Sequence, residues 1–207
     1  ATFDPTKRTS LITVADMCRK IEENSISLPL YQRDISWTLQ KCIDLLNYQL
    51  WGKAPVSPIS INVINTVDSA VPQVSFIDRE IISTIERGQY SVVDGQQRLT
   101  TNYKAYCNHD DFRNIVLDLG KGEFTEVRDS IRSNQIPVGI LLNKEDTKLF
   151  EYTKAKSALG SADVLSVLLQ VRSKMRNYNY TLNSAEDLTE DEQIEWFEVL
   201  NNAGSRV

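Results

Sequence analysis

Tyr90-Ser91-Val92-Val93-Asp94-Gly95-Gln96-Gln97-Arg98-Leu99-Thr100-Thr101 is the stretch from which the fold is read. Tyr90 to Val93 has strand composition, and Asp94-Gly95 breaks the run, because glycine takes backbone angles that other residues avoid. A helix follows at once. Leu99, Tyr103 and Tyr106 fall at i, i+4 and i+7, which puts three apolar side chains on one face and leaves Gln96, Gln97 and Arg98 in an exposed first turn. A strand–turn–helix junction of this kind directs free N–H groups and the positive end of the helix dipole at one point, which suits an anion such as phosphate. Arg98 opposes that dipole unless a phosphate or carboxylate compensates it. The residues alone leave two readings open. Either the turn is a phosphate site, or Asp94 is an N-cap, the glutamines are solvated and Arg98 pairs with a nearby acid.

Working outward, Thr13 with Asp16 caps a first helix carrying Val14, Met17, Cys18 and Ile21 on one face. Ser25 to Pro29 breaks it, and Tyr31-Gln32-Arg33 follows as an irregular or extended loop with strong hydrogen-bonding groups. Thr38 caps a second helix with Leu39, Cys42, Ile43, Leu46 and Leu50 inward and Gly52 past its end. Ile59, Ile61 and Val63 alternate with polar residues as a half-buried strand. Residues 65–89 fit a helix about as well as a strand. Beyond the signature helix, Asn108 to Asp111 is a polar stop and Ile115 to Leu119 another strand ending at Gly120. Ile136-Pro137-Val138 opens a new apolar stretch, and helical patterns cover Glu145 to Leu159 and Ala162 to Tyr178. Thr189 with Glu192 caps a last helix that reaches Asn201, with Gly204 as its stop. The composition shifts near residue 120, so residues 1–120 read as a mixed α/β unit and 121–207 as a mainly helical extension packed against it.

The 207 residues are 41% hydrophobic and 25% charged, ordinary for a globular protein, and the net charge of −5 gives no general attraction to DNA or anionic lipid. Cys18, Cys42 and Cys107 are odd in number and widely spaced, with only His109 to join them, which argues against a disulfide framework or a zinc site. No apolar run has transmembrane length and no leader pattern is present, so cytoplasm is the expectation.

Three blocks of the sequence resemble a known family. Asp94-Gly95-Gln96-Gln97-Arg98-Leu99-Thr100-Thr101 resembles the DGQQRLTT signature of a large bacterial domain-of-unknown-function family found in modification-dependent restriction and phosphorothioate-sensing antiphage proteins. Leu28 to Trp37 is similar to its P-x-Y-Q-R-x-x-x-W block, and Trp196 to Gly204 to its F-x-x-L-N-x-x-G block. The resemblance implies an α+β fold: a ParB/sulfiredoxin-like small mixed sheet with helices, bearing a phosphate-binding turn, followed by the helical segment. It also implies a longer protein in which a further domain, a nuclease for example, follows this one.

Walker P-loop, G-x-S-x-G and H-E-x-x-H motifs are all absent, and His109, the sole histidine, sits in a polar turn without a nucleophile or metal partner. What remains is the signature turn and the Tyr31-Gln32-Arg33 loop. With the resemblance, these point to a nucleoside-triphosphate-binding and hydrolysing domain of an antiphage or restriction system. Tyr31, Gln32, Arg33, Gly95, Gln96, Gln97, Arg98 and Thr100 surround the phosphates, and Asp94, Gln97 and Arg98 carry the chemistry. Asp94 holds Mg²⁺ or orients water. The alternative is a non-hydrolytic module gripping DNA backbone phosphates, with DNA engaged here or by other domains. Arg113, Lys121, Arg128 and Arg132 offer a basic patch for it, but Asp118, Glu123, Glu126 and Asp129 are interleaved.

Overall fold

The computed structural model describes residues 8–34 and 36–205, with side chains through 202. Six strands form a mixed sheet in the order β1 (Thr9–Thr13), β9 (Asn179–Glu186), β3 (Ile59–Ile64), β5 (Gln89–Asp94), β2 (Ile26–Pro29) and β4 (Gln73–Val74). The signature strand β5 is central, antiparallel to β3 and parallel to β2. A second, antiparallel sheet has β6 (Ile115–Asp118) between β7 (Glu123–Glu126) and β8 (Gln135–Pro137). Seven α-helices accompany them among the described residues: α1 (Val14–Glu22), α2 (Leu39–Trp51), α3 (Gln96–Tyr106), α4 (Val138–Leu141), α5 (Asp146–Ala155), α6 (Ala162–Arg176) and α7 (Glu190–Ser205). The class is α+β.

Local chemistry explains the helix boundaries. Thr13 Oγ1 accepts from Asp16 N, Thr38 Oγ1 from Lys41 N and Ser161 Oγ from Val164 N, each satisfying an amide that the helix leaves unpaired. At α7 the capping box is reciprocal: Glu192 N donates to Thr189 Oγ1 at 3.2 Å and Thr189 N to Glu192 Oε1 at 3.0 Å. The helix then runs through Gly204 to Ser205, so Gly204 is not its stop.

The strands depart further from the expectation. Ser25 to Pro29, read as a break, contains β2, buried at every position. Its polar member is satisfied internally, since Ser27 Oγ donates to Gln73 Oε1 and accepts from Gln89 Nε2, both at 2.7 Å. Residues 65–89 hold neither a long strand nor an α-helix, only a 3₁₀ turn at Val67–Ser69, β4, an isolated bridge from Val74 to Ile81 and the first residue of β5, Gln89. Strands β1, β7, β8 and β9 add to what sequence reading found. β9 brings the second half of the chain back into the large sheet between β1 and β3, while β6 pairs with two strands that follow residue 120.

Two apolar clusters result. Met17, Cys18, Ile21, Ile26, Ile61, Val92, Leu99 and Leu182 pack α1 and α3 on the large sheet. Leu46, Ile115, Leu117, Phe124, Ile136, Leu141, Leu149 and Leu168 join α2, α4, α5 and α6 to the small one. A buried polar triad links α2, α3 and β9. Tyr180 Oη donates to Asn102 Oδ1 at 2.5 Å, Asn102 Nδ2 to Gln49 Oε1 at 2.8 Å, and Gln49 Nε2 to Tyr180 Oη at 2.8 Å. Among the described residues no helix is long and apolar enough to cross a membrane.

Candidate functional site

β5 ends at Asp94 and α3 begins at Gln96, so one residue makes the turn. Gly95 has φ +113° and occupies the N-cap position, a conformation that L side chains rarely adopt, and a Cβ there would collide with Ile59 Cδ1. Among the described residues no side chain caps α3, which corrects the reading of Asp94 as N-cap. The first turn therefore keeps its amides directed outward from the end of a central strand, as an anion site requires. Gln96, Gln97 and Arg98 are half-buried rather than exposed.

Arg98 is held firmly. Its Nη1 donates to the Ser57 carbonyl and its Nη2 to that of Pro58 at 3.3 Å, while Asp94 Oδ2 lies 3.7 Å from Nη2. The side chains are 14% and 27% exposed. Part of the alternative reading is thus realised, since Arg98 does pair with a nearby acid. Burial pushes the Asp94 carboxyl above the usual carboxylate range, against the opposing pull of Arg98 and the Gly95 amide.

The Tyr31–Trp37 loop is sewn to this junction. Gln32 Nε2 donates to the Val92 and Val93 carbonyls at 2.7 and 2.9 Å, taking over the edge of β5 where β2 departs. The Trp37 amide donates to Gln97 Oε1 at 3.3 Å. Tyr31 Oη donates to Gln193 Oε1 at 3.1 Å, and burial, helped by Glu190, pushes its phenol up to about 12. Gln32 and Gln97 therefore have structural tasks that spacing did not reveal. Gln96 and Thr100 are half-buried and Arg33 is exposed, and none of the three side chains makes a hydrogen bond or ion pair to another described residue. Ile35, within the same block, lies outside the described residues.

Sequence reading missed Arg79. Its Nη2 donates to the carbonyls of Leu30 and Gln32 at 3.3 and 2.8 Å, clamping the loop from the other side, and its Nη1 is buried without a partner among the described residues. Arg79 and Ile77 both have positive φ, which a β-branched residue such as Ile77 strongly disfavours. One arginine within an ambiguous segment carries no signal in sequence.

In front of the junction lies an open cleft of about 760 Å³. Asp94 and Arg98 line it from the signature, Pro55, Val56 and Ser57 from the approach to β3, and Leu200 and Asn201 from α7. Two of the three sequence blocks line this cleft, and the third reaches the same junction through Gln32 and Trp37; of the expected site residues Asp94 and Arg98 stand in the lining, and Tyr31, Gln32, Arg33, Gly95, Gln96, Gln97 and Thr100 do not. Residues 14–207 match the family described as GmrSD restriction endonuclease, N-terminal domain. The chain belongs to this family. Comparison with curated proteins gave no match. For a GmrSD N-terminal domain, the cleft lining offers one carboxylate and one arginine, and the uncapped first turn of α3 begins two residues after Asp94. Among the described residues no group of three His, Cys, Asp or Glu side chains that could hold a metal ion is present.

Proposed function

We propose that this restriction-system domain binds a nucleoside triphosphate in the cleft before β5 and α3 and hydrolyses it. The observation that carries the reading is the convergence of three separated sequence blocks on one uncapped helix N-terminus beside an open cleft. In this reading the junction is the phosphate-binding turn of a ParB/sulfiredoxin-like domain. The amides of Gln96 and Gln97 receive phosphate oxygens, Gly95 permits close backbone approach, and Thr100 and Arg33 supply further donors. Arg98 keeps residues 57–58 in place and contributes positive charge. Asp94 stands where it can share Mg²⁺ with the phosphates or orient the attacking water, and positioning with charge supplies most of what phosphoryl transfer demands.

A grip on DNA phosphates at the same turn has less support, because the net charge of −5 gives no general attraction to a polyanion and Glu190 of α7 lies near Tyr31. The test is phosphate release from each of the four triphosphates with Mg²⁺, comparing the wild type with Asp94→Asn. Turnover about a hundredfold lower in the variant, at similar nucleotide affinity, is the expected result. Equal turnover in both proteins would remove Asp94 from the chemistry.

A further inference from the structure

A second cavity, of about 350 Å³, opens between α5 and α6, and it shares no residue with the signature cleft. Two arginines one helical turn apart form its polar side. Arg172 is only 5% exposed, and its Nη1 donates to the Leu141 carbonyl at 2.7 Å and its Nη2 to Asp146 Oδ1 at 2.6 Å. Arg176 donates to the Asn143 carbonyl at 3.1 Å and lies 5.9 Å from the Tyr106 ring centroid. Among the described residues Asp146 is the single carboxylate in the lining, and its side chain is 78% exposed. Of the acids nearby, Glu22 pairs with Lys144 at 2.8 Å and Glu145 with Lys148 at 4.0 Å. Two guanidinium groups therefore face one solvent-facing carboxylate, which leaves a net positive charge at the cavity. The opposite wall is apolar, built from Leu149, Phe150 and Leu169, and Ser173 and Asn177 add polar groups at the edge.

We infer that this cavity is a binding site for a small organic anion, a carboxylate or phosphate monoester carrying an aromatic or branched apolar group. The anion meets Arg176 and the accessible edge of Arg172, and the apolar group rests on Phe150 and Leu169. The volume lies within the range of small-molecule pockets, and the lining sets convergent polar groups beside an apolar wall, as such sites do. A buried arginine provides a fixed, weakly hydrated fork for such an anion. The inference is independent of the nucleotide reading.

The test is calorimetric titration of the chain with phenyl phosphate and with benzoate, using inorganic phosphate and benzyl alcohol as controls for each half of the ligand. Arg172 also ties α4 to α5, so the informative variants are Arg176→Gln and Leu169→Glu, the latter at an exposed rim position. At least one aromatic anion is expected to bind saturably, roughly tenfold or more tighter than either control and weakened roughly tenfold by each variant. Absence of saturable binding, equal binding of inorganic phosphate, or affinity unchanged in both variants would overturn the assignment.

Discussion

Gln96 is the residue at which stability and ligand binding separate most cleanly. Its side chain bonds to no described residue, yet it stands in the first turn of an uncapped helix. Gln96→Glu adds a carboxylate that the helix dipole favours by about 0.3–1 kcal/mol while placing negative charge where a phosphate would sit. The expected outcome is an unchanged or raised melting temperature together with nucleotide affinity reduced at least roughly tenfold, read by thermal denaturation and titration. Arg98→Ala is less informative, because it also releases the Ser57 and Pro58 carbonyls. Gly95 was legible as a turn and is indispensable to it. Gly95→Ala is expected to cost about 1–3 kcal/mol, measured by urea unfolding, since φ +113° strains any L side chain and Ile59 occupies the space. Gln32 and Arg79 were not legible in their roles. Each acts on backbone carbonyls brought close by distant pairing, and sequence spacing holds no record of that.

Among the elements, helices with side-chain caps were read well, because cap and stripe both lie within a dozen residues. Thr13, Thr38 and Thr189 each mark a helix start that the structure shows. Removing one half of the α7 box, Thr189→Ala, is expected to destabilise by about 1 kcal/mol in urea unfolding. Strands β2 and β9 were harder. β2 is buried on both faces and so lacks alternation, with Ser27 paired to Gln73 and Gln89 rather than to water. β9 does alternate at Tyr180 and Leu182, a signal hidden between two strong helices. The Gln49–Asn102–Tyr180 triad shows how these elements are locked together. Asn102→Ala leaves the Tyr180 hydroxyl and the Gln49 amide short of partners, and a loss of about 2–4 kcal/mol is expected.

For the whole molecule, pairing across the midpoint of the chain is what composition alone conceals. The shift near residue 120 is real in sequence, but β9 returns to the first sheet and the β6 strand joins later ones, so the cleft draws on residues from 55 to 201. Acid stability reflects the same long-range pairing. Asp118 accepts from Gln135 Nε2 at 2.8 Å and from Lys121 N at 2.9 Å, bonds that hold its carboxyl below the usual range. A depressed folded-state pKa contributes stability above the unfolded value, near about 3.9, and that stability disappears as pH falls through the folded value. Asp118→Asn is therefore expected to lower the melting temperature at pH 7, with the gap to wild type closing below about pH 4. The cleft is tested by isothermal titration of the chain with ATP, GTP, CTP and UTP in Mg²⁺, alongside the folded Gln96→Glu variant. Saturable binding of at least one triphosphate, lost in Gln96→Glu, is the expected result. Absence of binding to all four, or equal affinity in the variant, would contradict a nucleotide site at the β5–α3 junction.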